Sequence, residues 1–480
     1  MSIYGLVRGP ISKHIFRYLV NSVRRRHEDY EKRRNTLYKS DLFQRFINWY
    51  IKNKFDGKYR LLQIGGATYP VIVFPAPKEF WDRIQRTVEN DKELVKSRER
   101  DIIGEKLHRK REKPFIYEVE DDARDYCEQF ESFKKKLDSF GPFGVEDRAK
   151  YSMIRTDLDT LKMTCALGWY YRMVKTCEVL EYEFVDVLSK YSLRGIQENK
   201  FNRLFSRMIV RKAMHRLVPD PVVSGDYRDA VIGISTLIAY LDLERNGYIF
   251  LIARRSPRVA LGSSLLHVIP SSLFEPMFEE ELCFNIKANI YREYAEELFD
   301  EEHLMGEQDS VYSIFSDELF PEIAHLRELL HRGDAQLIFL GLAFDVLRLR
   351  PEICTLLLIS DPNWRRQIAD GWKRKRSIDN RVIEEHIRLN PRRFSPEFLV
   401  KTSVTTTIQT QIENTDKFLS YIKRNIEKNM ANKNVRLDPA GITPPGIATL
   451  YLATNTIQKL YRDREIKFPV IGVEILGPRA

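Results

Sequence analysis

Long apolar stretches and paired cysteines are missing from this 480-residue chain. No apolar run approaches the roughly 18 residues that a helix needs to cross a bilayer, so we expect no membrane partner. The five cysteines form neither a CxxC pair nor a cluster with histidine, which argues against a zinc site and against a disulfide framework. The N-terminus carries no secretory signal pattern, and we therefore predict a cytoplasmic protein.

The composition that is present is that of a folded chain, with 43% hydrophobic and 30% charged residues. The net charge of +10 is uneven, because residues 1–114 hold 27 of the 78 Lys and Arg but only 14 of the 68 Asp and Glu. A basic first quarter is typical of a region that attracts nucleic acid or an acidic partner. A solvated helical surface is the alternative interpretation.

Hydrophobic spacing and turn residues divide the chain into regions. Apolar residues at helical spacing predict helices over 11–55, and Gly65-Gly66 between two β-rich runs predicts a hairpin. The charge-rich stretch 91–114 is predicted to be a solvated helix or a linker, the breaker-poor stretch 146–215 to be helical, and the proline-containing stretch 216–229 to be a domain boundary. The predicted regions are a basic region of helices and a hairpin (1–115), a helical middle region (116–220), and a C-terminal domain with an insertion near 365–435 (221–480).

From Ala230 onward the pattern changes to strands. Two β-rich runs, AVIGISTLIAYLDL and YIFLIARRS, flank the turn ERNG, and the short apolar run LLHVIP follows them. A helical pattern near 284–300 comes next, and two further β-rich runs, AQLIFLGLAFD and ICTLLLISD, follow it. Strands on both sides of an embedded helix predict a mixed unit, so the fold class expected for the whole chain is α+β.

The embedded helix separates apolar from acidic residues. At 100° per residue, the apolar side chains of Phe284–Asp300 fall on one side, and Glu293, Glu296, Glu297 and Asp300 fall on the other. Carboxylates three and four residues apart repel each other, and a bound Mg²⁺ or Mn²⁺ would offset this repulsion. Arg292 can offset part of it by pairing with a neighbouring glutamate. A helix that merely turns its acidic face to solvent is the alternative.

The segment REYAEE at 292–297 resembles the REUxEE half of the Nudix box, and the strands before and after it resemble those of Nudix hydrolases over about residues 228–360. The resemblance implies a Nudix-like α/β/α sandwich and Mg²⁺- or Mn²⁺-dependent hydrolysis of a nucleoside diphosphate linked to another moiety. It implies that Glu296 and Glu297 bind the metal and that Glu293 is a further ligand or the general base. Arg292 would orient the glutamates.

The sequence also departs from the Nudix pattern. Phe278 and Phe284 stand where the pattern has a glycine and a glutamate, and Phe299 replaces the glycine after the glutamate pair. An acid of the preceding loop could supply the missing carboxylate, and the candidates are Glu275, Glu279, Glu280 and Glu281. The alternative to an enzyme is a degenerate Nudix-like sensor that binds a nucleotide without cleaving it.

Other basic and titratable residues complete the set of candidates. Arg254, Arg255 and Arg258 follow the second strand, where they could grip the phosphate or base of a nucleotide-derived ligand, with a basic surface loop as the alternative. His267 is predicted to be a strand histidine rather than a base. The cluster Lys373–Arg376 is predicted to be part of a solvated insertion, with phosphate or nucleic-acid binding as the alternative. The sequence leaves open whether the protein is a homodimer.

Overall fold

The structure is a computed structural model. It describes residues 10–85, 100–101, 104–106, 113–139, 147–191, 196–255, 265–276, 284–299, 321–368, 419–420 and 437–476.

Helices occupy most of the first half of the chain and return on both sides of the later strands. They are α1 (Pro10–Tyr38), α2 (Asp41–Lys54), α3 (Ile116–Val119), α4 (Asp121–Ser139), α5 (Tyr170–Met173), α6 (Val179–Ser189), α7 (Phe201–Phe205), α8 (Ile209–Leu217), α9 (Ile286–Phe299), α10 (Pro321–Arg332) and α11 (Pro444–Arg462). A π-helical turn, Val174–Glu178, joins α5 to α6, and 3₁₀ turns lie at Lys78–Phe80 and Glu198–Lys200.

Strands are found in both halves of the chain. They are β1 (Gln63–Ile64), β2 (Ala67–Thr68), β3 (Val71–Pro75), β4 (Arg100–Asp101), β5 (Gly104–Lys106), β6 (Ala149–Asp157), β7 (Lys162–Trp169), β8 (Ala230–Val231), β9 (Gly233–Asp242), β10 (Gly247–Arg254), β11 (Leu266–Val268), β12 (Ser271–Leu273), β13 (Ala335–Asp345), β14 (Arg350–Ile359) and β15 (Val470–Leu476).

An eight-stranded mixed sheet forms the centre of the second half. Its path is β11-β10-β9-β14-β13-β3, with β12 paired to the first part of β9 and β15 paired to β10. Successive residues of β9 enter different clusters, because Ile238 packs in one hydrophobic core and Leu237 in the other. This period of two means that the central strands are buried on both faces.

Helices cover the two faces of this sheet. The apolar sides of α9 and α10 join the core on one face, whereas α11 joins the core on the other. Local sequence fixes where these helices begin. Asn285 accepts the N–H of Ala288 at 2.8 Å before α9. Thr443 accepts the N–H of Gly446 at 3.2 Å before α11, whose first residue is Pro444. The α+β class and the strands predicted around the acidic helix are confirmed.

A second sheet, ordered β4-β5-β7-β6-β8, corrects one prediction. Residues 149–169 lie in the stretch predicted to be helical, but they form the β6–β7 hairpin. The turn is stabilised by Asp157, whose carboxylate accepts the N–H groups of Asp159 at 3.0 Å and Thr160 at 3.2 Å. This aspartate turn is a local signal that the helical reading overlooked. Strands β4 and β5 likewise lie within the stretch 91–114.

The region boundaries predicted from the sequence do not assign each sheet to a separate part of the chain. The expected hairpin forms at Gly65-Gly66, and both glycines have positive φ values of 56° and 78°. The following strand, β3, pairs with β13 of the main sheet in the register Phe74↔Leu342. Similarly, β8 pairs with β6, so the chain segment after the predicted boundary 216–229 returns to the second sheet. Residues 1–115, 116–220 and 221–480 are therefore interleaved. Nearly all of the insertion near 365–435 lies outside the described residues.

A buried network of charges ties the first helices to the β13–β14 turn. Glu181 of α6 accepts from Arg34 at 2.9 Å and from Arg348 at 2.5 Å. Arg348 and Arg350 also contact Glu178, at 2.8 and 2.9 Å. Arg348 also forms an ion pair with Asp345 at 3.0 Å. We call these six residues the balanced network, because three arginines face three carboxylates.

No helix in the part of the chain that the structure describes has the length and apolar character needed to cross a membrane. Cys127, Cys165, Cys177 and Cys354 are buried free thiols. Cys283 lies outside the described residues.

Candidate carboxylate site

The acidic face of α9 is half-buried rather than turned to bulk solvent. The opposite face, which includes Tyr291 and Ala295, is fully buried, as the helical spacing predicts. The side chains of Arg292, Glu293 and Glu296 are only 12%, 13% and 21% exposed. This burial disfavours the interpretation of a merely solvated helix face. Asp300 lies outside the described residues.

Arg292 lies at the centre of the carboxylates. Its Nη2 donates to Glu293 Oε1 at 2.7 Å, and its Nη1 donates to Glu275 Oε2 at 3.0 Å. Its Nε lies 3.8 Å from Glu296 Oε1 and makes no hydrogen bond. These contacts include the predicted pairing of Arg292 with a neighbouring glutamate, Glu293. We call Glu275, Arg292, Glu293, Glu296 and Glu297 the carboxylate site.

Of the four loop acids that could join the helix, Glu275 is the one that the structure describes. Its backbone N–H donates to Asn289 Oδ1 at 3.1 Å, and Asn289 Nδ2 donates back to its carbonyl at 3.0 Å, which fixes the loop against α9. Lys150 of β6 pairs with its carboxylate. Although burial opposes ionisation, Arg292 and Lys150 lower the pKa of Glu275 below its usual value. Glu279, Glu280 and Glu281 lie outside the described residues.

Phe284 fills the position at which the Nudix pattern has a glutamate. It is 2% exposed, and its ring lies 4.8 Å from that of Tyr151 and 4.9 Å from that of Phe274. Tyr151 comes directly after Lys150 on β6, and its N–H donates to the carbonyl of Phe274 at 2.8 Å. A charged side chain at position 284 would be buried among aromatic rings, which explains the phenylalanine there. Phe278 lies outside the described residues.

Glu297 reaches the edge of the main sheet. Its Oε2 accepts the N–H of Ser271, the first residue of β12, at 2.9 Å. Ser271 pairs with Ser235 in β9, which places the C-terminal half of α9 beside the start of that strand.

Glu293 has an unusual protonation equilibrium. Burial raises its pKa well above the usual value, and Glu296, Glu297 and Glu275 raise it further by repulsion. Arg292 opposes the shift but does not reverse it. The neighbouring carboxylates and burial therefore outweigh Arg292 in their effect on the pKa of Glu293.

Arg255 extends the site towards β14. It is half-buried, and its electrostatic neighbours include Glu297, Glu293 and Glu352. Ser235 donates to Glu352, and burial raises the pKa of Glu352 to about 7. Gly233 lies against it, since a Cβ there would be 1.9 Å from Glu352 Oε2 and the carboxylate would have to move.

The structure brings Arg255 to the predicted site residues, whereas Arg254 is the last residue of β10 and is half-buried. Arg258 and the cluster Lys373–Arg376 lie outside the described residues. His267 lies on β11 as predicted, where it is buried and its Nδ1 is 3.0 Å from Thr443 Oγ1. Burial lowers the pKa of His267 well below its usual value.

The carboxylates are not arranged as a complete set of metal ligands. Within the described ranges, no group of three or more His, Cys, Asp or Glu side chains converges on a common point. The donor chemistry nevertheless suits a hard divalent cation, because Glu293, Glu296 and Glu297 are carboxylates on one helix face with excess negative charge. Rotation about the side-chain torsions of these glutamates would be needed to surround an ion.

The chain matches no family model. No curated protein matches it significantly either. A relationship to Nudix hydrolases therefore rests on the sequence resemblance alone and is a proposal.

The sequence prediction missed two members of this region. Lys150 and Glu352 join the site from positions 125 and 117 residues away from their hydrogen-bond partners, Glu275 and Ser235. The local signal at Glu352 is a charged residue immediately before the apolar run ICTLLLI, whereas Lys150 lies in a stretch whose pattern predicts a helix. Such a signal identifies an unusual residue but not its partner.

Proposed function

We propose that the protein is a Nudix-like hydrolase that cleaves a nucleoside diphosphate-linked compound with the aid of Mg²⁺ or Mn²⁺. The observation that carries this proposal is the group of four half-buried carboxylates, Glu275, Glu293, Glu296 and Glu297, gathered around Arg292, with Lys150 as a second paired cation. The helices on both faces of a mixed sheet support it as well. The layout agrees with the α/β/α sandwich that the resemblance implies.

Glu296 and Glu297 would hold the divalent ion, with Glu293 as a third carboxylate. When bound, the ion would neutralise pyrophosphate charge and lower the pKa of a coordinated water. Arg292 keeps Glu293 and Glu275 in place through hydrogen bonds of 2.7 and 3.0 Å. This scaffold keeps the carboxylates close together before a ligand arrives, and rotation of the glutamate side chains would then surround the ion.

Glu293 suits the role of general base because Arg292 holds its carboxylate at 2.7 Å, one helical turn before the proposed ligands Glu296 and Glu297. It would take the proton of the attacking water as the water oxygen bonds to phosphorus and the phosphoanhydride bond breaks. Arg255 would contact the negatively charged phosphates from the other side of Glu297. Arg254 would assist from the end of β10.

The test is Mg²⁺-dependent release of nucleoside monophosphate from a panel of nucleoside diphosphate sugars and dinucleotides. We expect the variant Glu296→Gln/Glu297→Gln to lose about 100-fold or more of the turnover. Asp122→Asn/Asp125→Asn is the matched control, since it removes two exposed helical carboxylates from α4. Full turnover in the Glu296→Gln/Glu297→Gln variant would rule the assignment out.

A nucleotide sensor is the second candidate. The aromatic environment of Phe284 favours it, because the glutamate expected there is absent and Tyr151 and Phe274 fill the space. Calorimetry on the same compounds in Mg²⁺ separates the two functions. Heat of binding followed by recovery of intact ligand supports the sensor, whereas released nucleoside monophosphate supports the enzyme.

A further inference from the structure

A basic stripe runs along the outer face of α2. Arg45, Trp49 and Lys52 lie within about 60° of each other on the helix, opposite its buried face. Lys52 is exposed, and Trp49 is half-buried. Asp41, one turn before Arg45, is the acid on this stripe and pairs with Arg45 at 2.6 Å.

A second basic stripe lies in the segment that leads into and out of α7. Residues 196–216 contain six Lys and Arg against the single acid Glu198. Lys200, Arg203 and Arg207 follow each other at intervals of three and four residues, and all three are exposed. Arg207 donates to the hydroxyl group of Tyr191, whereas no ion pair to Lys200 or Arg203 is present among the described residues.

The two stripes are neighbours because Trp49 packs between α2 and α7. Its ring lies 5.8 Å from that of Phe201 and 6.2 Å from that of Phe205. Lys54 bridges the same junction, with its Nζ 4.4 Å from the Phe205 ring and 5.6 Å from the Trp49 ring. We call Arg45, Trp49, Lys52, Lys200, Arg203 and Arg207 the α2–α7 basic surface.

The cations of α1 are used differently. Arg34 is buried against Glu181, and Arg33 is shared between Asp29 and Asp186. Arg26 donates to the hydroxyl group of Tyr182 and lies over a phenylalanine ring. A count of Lys and Arg residues does not show which of these side chains pair within the protein and which face solvent. Exposed cations remain on α1, at Arg24, Arg25 and Lys32, and on the α2–α7 basic surface, where Lys52, Lys200 and Arg203 lie near the half-buried ring of Trp49.

We propose that the α2–α7 basic surface binds single-stranded nucleic acid. Cations in two adjacent rows match the spaced negative charges of a phosphodiester chain, and the half-buried Trp49 between them leaves part of its ring for contact with a base. Ile209 is the one large apolar side chain of the segment 196–216 that is exposed, and a single aliphatic side chain adds little to membrane insertion, which favours a nucleic acid over an anionic membrane. This function is independent of the carboxylate site.

The test measures fluorescence anisotropy of labelled oligo-dT of about 20 nucleotides, a length that exceeds one ordinary binding site. We expect Lys52→Glu/Lys200→Glu/Arg203→Glu to weaken binding at least 10-fold. Each lost phosphate contact reduces the salt dependence, so the slope of log K against log salt should become shallower by about 2 for three contacts. Arg24→Glu/Arg25→Glu/Lys32→Glu on α1 is the matched control, with the same change in net charge on exposed residues.

Equal losses in the two triple variants would overturn the proposal, because they would show a response to net charge rather than to this surface. Absence of binding by the unmodified protein would overturn it too. Binding to vesicles containing phosphatidylserine, with no binding to oligo-dT, would assign the surface to a membrane instead. A second readout is the change in tryptophan emission on adding oligo-dT, which the variant Trp49→Phe should abolish while retaining the native melting temperature.

Discussion

The balanced network and the carboxylate site both bury glutamates of a helix beside arginines, but they differ in their ratio of charges. In the balanced network, Arg34 and Arg348 both contact Glu181, and its pKa is lowered to about 2. In the carboxylate site, Glu293 contacts one arginine and is repelled by three carboxylates, and its pKa is raised. Burial by itself would raise the pKa of both the buried Glu181 and the half-buried Glu293, so the neighbouring charges decide the direction of the shift.

This difference shows how a structural cluster of charges can be separated from a candidate ligand site. A cluster that is neutral by itself needs nothing further, and its ion pairs hold elements together. A cluster that keeps excess charge lowers the stability of the fold unless a ligand of opposite charge binds. The predictions that follow test whether the balanced network is structural and whether the carboxylate site binds a ligand of opposite charge.

The largest expected difference is in the effect of one substitution on stability. Glu181→Gln removes the buried carboxylate that pairs with Arg34 and one of the three that pair with Arg348, so it should lower the free energy of unfolding by about 3 to 5 kcal/mol. Glu293→Gln removes a repelled carboxylate and should leave the stability of the metal-free protein unchanged or slightly higher. Urea denaturation measures both values. Similar losses in the two variants would remove the distinction between the clusters.

Divalent cations should stabilise the protein through the carboxylate site. At a concentration 100 times the dissociation constant, Mn²⁺ should raise the free energy of unfolding by about 2.7 kcal/mol. The gain should disappear in Glu296→Gln/Glu297→Gln and persist in Asp122→Asn/Asp125→Asn. Thermal melts with and without Mn²⁺ measure this effect. A gain of the same size in both double variants would place the ion elsewhere.

Lys150 should affect the site through Glu275. We expect Lys150→Met to weaken Mn²⁺ binding about 10-fold, because Glu275 would lose one of the cations that hold it beside Arg292. Lys150→Arg should restore much of the affinity. Lys175→Met is a suitable control, since Lys175 is a largely buried lysine that pairs with Glu131 at 3.4 Å. Calorimetric titration of Mn²⁺ compares the four proteins.

The smallest expected effect is in the dependence of stability on pH. Glu293 has a higher pKa in the folded state than in the unfolded chain, so it destabilises the metal-free fold as the pH rises above its ordinary pKa of 4.5. Unmodified protein should lose up to about 1 kcal/mol per pH unit relative to Glu293→Gln in that window. Glu181 acts in the opposite direction, since its contribution is lost as the pH falls from 4.5 to about 2. Denaturation curves at several pH values separate these contributions.

Local sequence predicts the elements of the second half well. The run AQLIFLGLAFD coincides with β13, and the acidic helix forms at the predicted position with its apolar face buried. Both patterns are strong because a central strand and an amphipathic helix each place apolar residues at a regular interval. The β6–β7 hairpin was missed because its apolar residues also fit a helical interval and its Asp157 turn contains neither glycine nor proline.

Contacts between residues that are far apart in the sequence are the part of the site that could not be predicted. Arg292, Glu293, Glu296 and Glu297 follow from the spacing on one helix, and Arg255 follows the strand that leads towards them. Lys150 could not be inferred, because its contact with Glu275 depends on β6 pairing with a distant segment. The sequence shows which residues are charged, whereas the tertiary structure determines which other charges lie near them.

The pairing of β3 with β13 constrains how the chain can fold during its synthesis. Residue 75 lies opposite residue 341 in the pairing register, so β3 leaves the ribosome 266 residues before its partner. At about 5 to 20 residues per second, this delay is roughly 13 to 53 s. During that interval an apolar strand edge stays open to other chains. We therefore expect nascent molecules, more than finished ones, to need protection by chaperones.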